Sequence, residues 1–391
     1  SMKISYVIGG LGLVSETFIT DLIHGLTRFG DRLAIICNEQ SSSSSSIPCQ
    51  VREVNFLSLT SIIDRISYRF DLLWGAQSDK RTLERRLHHA YQQLIPALKQ
   101  EQPDVIYVDF GTVAVFIRAA CHDLKIPFVV HFHGADVTSA LNSQNYRSEL
   151  HKVFEDASAL IVASHHIRQL LILEGAPANK IHVIRLGINT EGLTPLSWQE
   201  RRALLPGVVF IGRFTPKKHP VALIEAFALV KQQVPDARLT AIGDGPEMPR
   251  VIERIERLKL KDSVQLYGVL PRSEALPIVN RHWVYAQHSV TAPSGDREGF
   301  GISLAEAAAL ELPIVSTLHN GIPEQVIDGE TGFLVRELDY ETMADYMVKL
   351  LLDPDLAEQM GKTGRTRISE LCQIDNRLHE IHKLLKVACE T

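Results

Sequence analysis

Short apolar runs alternate with amphipathic helical segments along nearly the whole chain, and this rhythm constrains the fold more than any other feature. K-I-S-Y-V-I (3–8), L-A-I-I-C (33–37), P-D-V-I-Y-V (103–108), I-P-F-V-V-H-F-H (126–133), A-L-I-V-A (159–163) and I-H-V-I-R (181–185) read as strands. Helical sequence fills most of the intervals, beginning with S-E-T-F-I-T-D-L-I-H-G-L (15–26), for which Ser15 is a plausible N-cap. The series then restarts with G-V-V-F-I-G-R (207–213), A-R-L-T-A-I-G (237–243), S-V-Q-L-Y-G (263–268), W-V-Y-A-Q (283–287), L-P-I-V-S-T (312–317) and G-F-L-V (332–335). Strands alternating with helices predict a parallel sheet covered on both faces. The expected class is therefore α/β, with two doubly wound Rossmann-like domains.

At 391 residues the chain is too long for one core, in agreement with that division. The polar, Gly- and Pro-bearing stretch N-T-E-G-L-T-P-L (189–196) suits a hinge. We expect an N-terminal acceptor-binding domain over 1–190, a C-terminal donor-binding domain over 191–370, and a last helix over 371–391 packing back toward the first domain. Ligands of such sheets bind beyond the carboxyl ends of the strands, so two facing domains would place a site in the cleft between them.

A net charge of −5 argues against a nucleic-acid partner. The five cysteines are scattered without a C-x-x-C pair, which reads as reduced thiols in a cytoplasmic protein. No apolar run is long enough to cross a bilayer, and Ser1 ahead of Met2 reads as a cloning remnant. Ser41 to Ser46 form a polar run expected to be a loop. Between Arg65 and His89, six Lys/Arg against three Asp/Glu are mixed with Phe70, Leu72, Leu73 and Trp74. That region reads either as a basic surface touching anionic membrane or as a solvated helix face.

In E-G-F-G-I-S-L-A-E-A (298–307) two carboxylates bracket a glycine turn that opens a helix. Helix signals begin after Gly301, so the N–H groups of Ile302, Ser303 and Leu304 should be unpaired and attractive to an anion. Glu298 and Glu306 then flank an anion site, and carboxylates accept the paired donors that sugar hydroxyls offer. A phosphate at the helix start with a hydroxyl-bearing ring on either side describes a nucleotide-sugar. The alternative is a loop acid followed by a solvent-facing helix acid. Cations to balance two phosphates stand in G-R-F-T-P-K-K, as Arg213 with Lys218, or with Lys217 in its place. In G-D-G-P (243–246), Gly243 and Gly245 permit close backbone approach to a ligand and Asp244 could accept from it, or the stretch is a plain strand-to-helix turn.

Taken together, these motifs resemble the retaining family 4 glycosyltransferases of the GT-B fold, especially those that build bacterial surface polysaccharides. The resemblance runs from G-R-F-T-P-K-K through G-D-G-P and L-Y-G-V-L to E-G-F-G-I-S-L-A-E-A and N-G-I-P-E-Q-V-I-D-G-E-T-G-F-L-V (320–335). It implies that Glu298 holds the hydroxyls of the donor sugar, Glu306 those of the ribose, and Arg213 and Lys218 the diphosphate. It also implies that Val269 and Leu270 flank the base and that amides near Phe300 and Gly301 touch the transferred sugar. In the first half, G-G-L-G (9–12) is similar to the family's N-terminal loop, with Gly10 and Gly12 facing the diphosphate and acceptor. The same glycines could open a dinucleotide fingerprint ending at Glu39, although Ser15 stands where its third glycine belongs. H-F-H-G-A-D (131–136) matches the family's strand-end histidine at His133, near the transferred sugar.

His131 and His133 share a strand face, but two ligands without a third are a weak metal signal, and His131 reads as a packed histidine. Asp136 could order that loop. The one D-x-D, Asp353-Pro354-Asp355, reads as a capping turn, so no metal and no cofactor are expected. The resemblance implies hexose transfer to a saccharide or lipid-linked saccharide at the inner membrane face. UDP is the first nucleotide and glucose the first sugar to test. A nucleotide-sugar sensor without turnover, a GT-B epimerase and a glycoside phosphorylase are the competing readings.

Overall fold

The computed structural model describes residues 1–11, 17–40, 47, 49–57 and 80–391. Ser15, Gly12, the serine run and residues 65–79 of the basic stretch lie outside the described residues. The chain forms two compact units, one of Ser1–Leu186 with Asp375–Thr391 and one of Gly187–Ile374, so it passes between them after Leu186 and again after Ile374.

In the first unit the strands are β1 (Lys3–Leu11), β2 (Arg32–Gln40), β3 (Gln50–Glu53), β4 (Val105–Asp109), β5 (Phe128–His131), β6 (Ala159–Val162) and β7 (Ile181–Val183). They make one parallel sheet in the order β3-β2-β1-β4-β5-β6-β7. Helices α1 (Thr17–Thr27), α2 (Lys80–Glu101), α3 (Gly111–Leu124), α4 (Gln144–Asp156) and α5 (His165–Glu174) connect them. Apart from the edge strand β3, the strands are apolar over most of their length because helices cover both faces: Ile4, Val7, Ile36, Ile106, Val108, Val130 and Leu160 are all buried. The turn expected at G-G-L-G does not begin at Gly9. The ladder continues, with Gly10 opposite Glu39 and Leu11 opposite Gln40, so the first two glycines extend β1.

The second unit repeats the plan with β8 (Gly207–Ile211), β9 (Arg238–Ile242), β10 (Val264–Leu266), β11 (Val284–Ala286), β12 (Ile314–Thr317) and β13 (Gly332–Val335), in the order β10-β9-β8-β11-β12-β13. Its helices are α6 (Trp198–Arg202), α7 (Pro220–Gln233), α8 (Met248–Arg257), α9 (Arg272–Val279), α10 (Ile302–Ala309), α11 (Ile322–Gln325), α12 (Tyr340–Leu352) and α13 (Pro354–Leu371). Asp353 caps α13, accepting the Leu356 N–H at 3.1 Å, so the D-x-D is a helix start as expected. The last helix, α14 (Ile374–Glu390), has Asp375 onward in the first unit, where His382 Nε2 lies 2.6 Å from Asp31 Oδ2.

In each sheet the strand order reverses once, beside β1 and β4 in the first unit and beside β8 and β11 in the second. A crevice opens at the carboxyl end of such a switch point. Both groups of polar residues described next sit there. Among the described residues no helix is long and apolar enough to cross a membrane.

Candidate active site

At the switch point of the second unit, β8 gives way to Gly212 and the loop that carries Arg213, Lys217 and Lys218. A Cβ at Gly212 would lie 2.9 Å from Lys218 Cδ, so glycine there lets the lysine stem cross the strand end. Lys218 Nζ reaches Glu298 Oε2 at 2.7 Å, and Gln287 Nε2 donates to the same oxygen at 3.2 Å. Gln287 follows β11 and is itself held by Tyr285, whose hydroxyl meets its Oε1 at 3.0 Å. The Glu298 N–H donates to His319 Nε2 at 3.0 Å, while Nδ1 of that ring faces Glu337 Oε1 at 3.5 Å. Burial holds His319 below its ordinary value, against the pull of Glu337 and Glu298, so the ring is the neutral Nδ1–H tautomer.

Burial alone would raise the Glu298 carboxyl. Lys218, then Lys217, outweigh it and hold the group at about 2, so Glu298 is a carboxylate. Lys217 lies 3.5 Å from Asp296, whereas Lys218 carries the contact to Glu298, which separates the two candidates. Arg213 is exposed, and among the described residues no acidic side chain pairs with it.

Helix α10 starts where the sequence places it. Gly301 adopts φ +78°, and a Cβ there would press on Leu304 at 2.9 Å, so the turn requires glycine. Gln325 secures it by donating to the carbonyls of Phe300 and Gly301. Ala305 is the first amide of the helix to reach a carbonyl, that of Gly301, which leaves the starts at Ile302, Ser303 and Leu304 pointing out of the helix end. Glu306 is not a solvent-facing helix acid. It is buried and gripped by Arg272 of α9, whose Nε donates to Oε2 at 2.6 Å while its NH2 nitrogen meets Oε1.

The close approach that Gly243 and Gly245 permit is to the neighbouring loop. A Cβ at Gly243, where φ is +138°, would lie 1.8 Å from the Gly212 carbonyl. The two loops are stitched by Phe214 N–H to Asp244 O at 2.9 Å and Gly212 N–H to Ile242 O at 3.0 Å. The Asp244 carboxylate is exposed and accepts from the Gly245 N–H at 2.7 Å. Val269, beyond β10, is 63% exposed, a large apolar side chain in water a few residues from Arg272.

The switch point of the first unit holds a separate network. Asp109, at the end of β4, is buried and accepts from the Tyr6 hydroxyl. Its other oxygen lies 2.6 Å from His133 Nε2. His131 packs on His133 with ring centroids 4.4 Å apart, and its Nδ1 lies 2.5 Å from the Tyr107 hydroxyl. Burial, with the Arg377 charge adding to it, pushes His131 well below its ordinary value, in keeping with a packed neutral histidine. Asp136 orders the loop, accepting from the N–H groups of Gly111, His133 and Gly134 at 2.9–3.0 Å.

Asp109 supplies the third group that the sequence lacked beside His131 and His133; one candidate ligand atom from each lies within 4.8 Å of the others. The 2.6 Å separation of Asp109 and His133 is a hydrogen bond, shorter than the ~3.4 Å expected between two ligands of a tetrahedral zinc with bonds of about 2.0–2.2 Å.

The structure thus brings Lys218 to Glu298, sets both beside the α10 start, and places His133 in the other unit. Sequence reasoning missed Arg272, Gln287, His319, Gln325 and Asp109. A signal existed for Asp109, an acid closing the apolar run V-I-Y-V, and for His319, which immediately precedes N-G-I-P-E.

Comparison with known proteins bears on these groups. Residues 15–191 match the family described as Glycosyltransferase Family 4, and residues 204–367 match Glycosyl transferases group 1. AmsK of Erwinia amylovora, an amylovoran biosynthesis glycosyltransferase, is 30% identical over 285 residues, covering 71% of this chain and 67% of AmsK. WcaL of Escherichia coli (strain K12), designated a colanic acid biosynthesis glycosyltransferase, is 32% identical over 269 residues, covering 68% of this chain. The match spans 66% of WcaL, just under two thirds of its length. The crystal structure of Anabaena HepE in complex with UDP and glucose matches with a TM-score of 0.78 at 20% identity, over 99% of this chain and all of that one. At that identity the likeness establishes the fold, two parallel-sheet Rossmann-like domains of the GT-B class.

Proposed function

The chain belongs to glycosyltransferase family 4, and from that premise we propose that it transfers a hexose from a nucleoside-diphosphate sugar to a saccharide or lipid-linked saccharide in exopolysaccharide biosynthesis. UDP-glucose is the first donor to test, since HepE has been solved with that ligand. Cytoplasmic action at the inner membrane face follows from such an acceptor. The observation that carries the reading is the grouping at the second unit's switch point. Lys218 paired with Glu298, the exposed Arg213 of the same loop and an open helix start occur with two buried carboxylates, Glu298 before that start and Glu306 within the helix, a set of groups suited to a diphosphate flanked by two sugars.

Each residue has a role in this proposal. Arg213, Lys218 and the amides of Ile302, Ser303 and Leu304 take the diphosphate. Glu298 accepts from the hexose hydroxyls, with Phe300 and Gly301 supplying backbone contacts. Glu306, oriented by Arg272, accepts from the ribose hydroxyls, while Val269 and Leu270 flank the base. Gly243, Asp244 and Gly245 shape the loop beside Arg213. In the first unit Gly10 and Gly12 approach the donor and acceptor, and His133 stands by the transferred sugar.

The barrier in such a transfer is the charge that leaves with the diphosphate. Each charge-assisted contact to it is worth about 1.5–3 kcal/mol, and such donors lower the barrier when they stand in place before the bond breaks. Lys218 is already positioned through Glu298, and Arg213 is uncommitted to any acid among the described residues. We read the reaction as retaining and metal-independent, the leaving phosphate taking the acceptor proton on the same face.

A transfer assay with UDP-, GDP- and ADP-sugars tests this reading. Turnover with net retention, unaffected by a chelator, is expected. Binding without turnover would identify a sensor, product without acceptor an epimerase, dependence on inorganic phosphate a phosphorylase, and rescue by manganese would overturn metal independence.

A further inference from the structure

We propose that Asp109 is a positioning residue: it fixes His133 as the Nε2–H tautomer and with it the orientation of the ring in the role given to His133 above. This rests on the role of His133 proposed above.

Three observations carry it. The 2.6 Å contact joins a buried carboxylate oxygen to the ε nitrogen of the ring. A carboxylate has only lone pairs to offer, so the proton of a neutral imidazole lies on Nε2. Asp109 cannot turn away, because the Tyr6 hydroxyl holds its second oxygen. The sheet register sets this arrangement, with Tyr6 opposite Tyr107 and Asp109 opposite His131, which puts these residues on one face at the strand ends.

The backbone around the pair is also committed. Phe110 follows Asp109 at φ +74° and ψ +131°, a strained conformation for a bulky residue that persists only where its surroundings impose it. Its N–H donates to the His131 carbonyl at 2.9 Å, and Asp136 draws in the next amide, that of Gly111, together with that of His133. The ring of Phe110 comes to rest 4.4 Å from the His133 ring. One strained residue therefore converts β4 into α3 while keeping Asp109 against His133. Strain stored beside a hydrogen-bonded acid and histidine is the pattern of a preorganised reacting site.

The test combines spectroscopy with kinetics. In protein carrying 15N-labelled histidine, the His133 signal, assigned by its loss in His133→Gln, should show the Nε2–H tautomer. An Nδ1–H ring would overturn the proposal. Asp109→Asn keeps the shape but can present an amide donor to Nε2. We expect the tautomer to switch and kcat to fall by about 10²-fold, with the donor KM within about threefold of wild type. A variant that keeps both its tautomer and more than half of kcat would overturn it. Should Asp109→Asn not fold, Tyr6→Phe, which removes only the second support of Asp109, should lower kcat by a smaller factor, about 3–10-fold; no change would count against the proposal. One equivalent of zinc or manganese retained by wild type and lost on His133→Gln would also overturn it, because the same atoms would then be coordinating. If wild type turns over no nucleotide-sugar, the proposed function fails, while the tautomer of His133 still decides the role of Asp109.

Discussion

Replacing Glu298 by glutamine removes a charge while keeping the side chain's shape, and the structure sets the size of the effect. Lys218, 2.7 Å away, with Lys217 behind it, outweighs burial and brings the Glu298 carboxyl from 4.5 to about 2. At about 1.4 kcal/mol per tenfold change in proton affinity, the native state gains about 3 kcal/mol from the ionised form. A carboxyl depressed on folding contributes its full share above the unfolded value and loses it as pH falls through the folded one. The advantage of wild type over Glu298→Gln should therefore be about 3 kcal/mol at pH 7 and shrink steadily below pH 4.5 toward pH 2. Urea unfolding followed by tryptophan fluorescence is the assay, since Trp198 and Trp283 are both buried in the second unit. Glu298→Gln strands the Lys218 ammonium, so adding Lys218→Met should restore part of the loss, as removing both members of a buried pair costs less than removing one. A stability difference that stays constant from pH 7 to pH 3.5, or single and double variants whose effects simply add, would refute the pairing.

Three further outcomes follow from the same geometry. Arg213→Ala should lower kcat by about 10²–10³ and leave urea stability within about 0.5 kcal/mol of wild type, because the side chain is exposed and makes no ion pair among the described residues. Arg272→Ala should raise the donor KM about tenfold by releasing Glu306, and Arg272→Lys should not restore it, because one ammonium cannot replace a two-point guanidinium contact; calorimetry with UDP checks both. Gly243→Ala would drive a methyl into the Gly212 carbonyl and should cost the second unit about 3 kcal/mol or more in the same unfolding assay.

The sequence was most legible where one kind of residue fills one kind of place. Strands buried on both faces read as uninterrupted apolar runs, which made the inner strands of the second unit visible; the edge strand β10, V-Q-L, was read from its alternation, and the start of α10 from Gly301. Strand β3, Q-V-R-E, was missed because an edge strand with exposed ends carries no such run. G-G-L-G looked like a turn because glycine marks turns more often than strand ends, yet the ladder to β2 carries Gly10 within β1. The two acids of E-G-F-G-I-S-L-A-E-A were visible, but their partners were not. Lys218 and Glu298 are 80 residues apart, and Arg272 and Glu306 are 34 apart, distances that only the parallel sheet closes. Asp109 and His133 are brought together in the same way, by two strands whose ends meet in register. Local pattern thus disclosed which residue types cluster after each strand, while pairing across strands determined which of them touch.

The central claim is that the loop after β8 and the start of α10 hold a diphosphate. A crystal structure with a nucleoside-diphosphate hexose tests it most directly. The account predicts phosphate oxygens within hydrogen-bonding distance of Arg213, Lys218 and the amides that open α10, with a ribose on Glu306 and the hexose on Glu298. A nucleotide bound in the first unit, or one lying on the second unit with its phosphates away from Arg213 and Lys218, would contradict it.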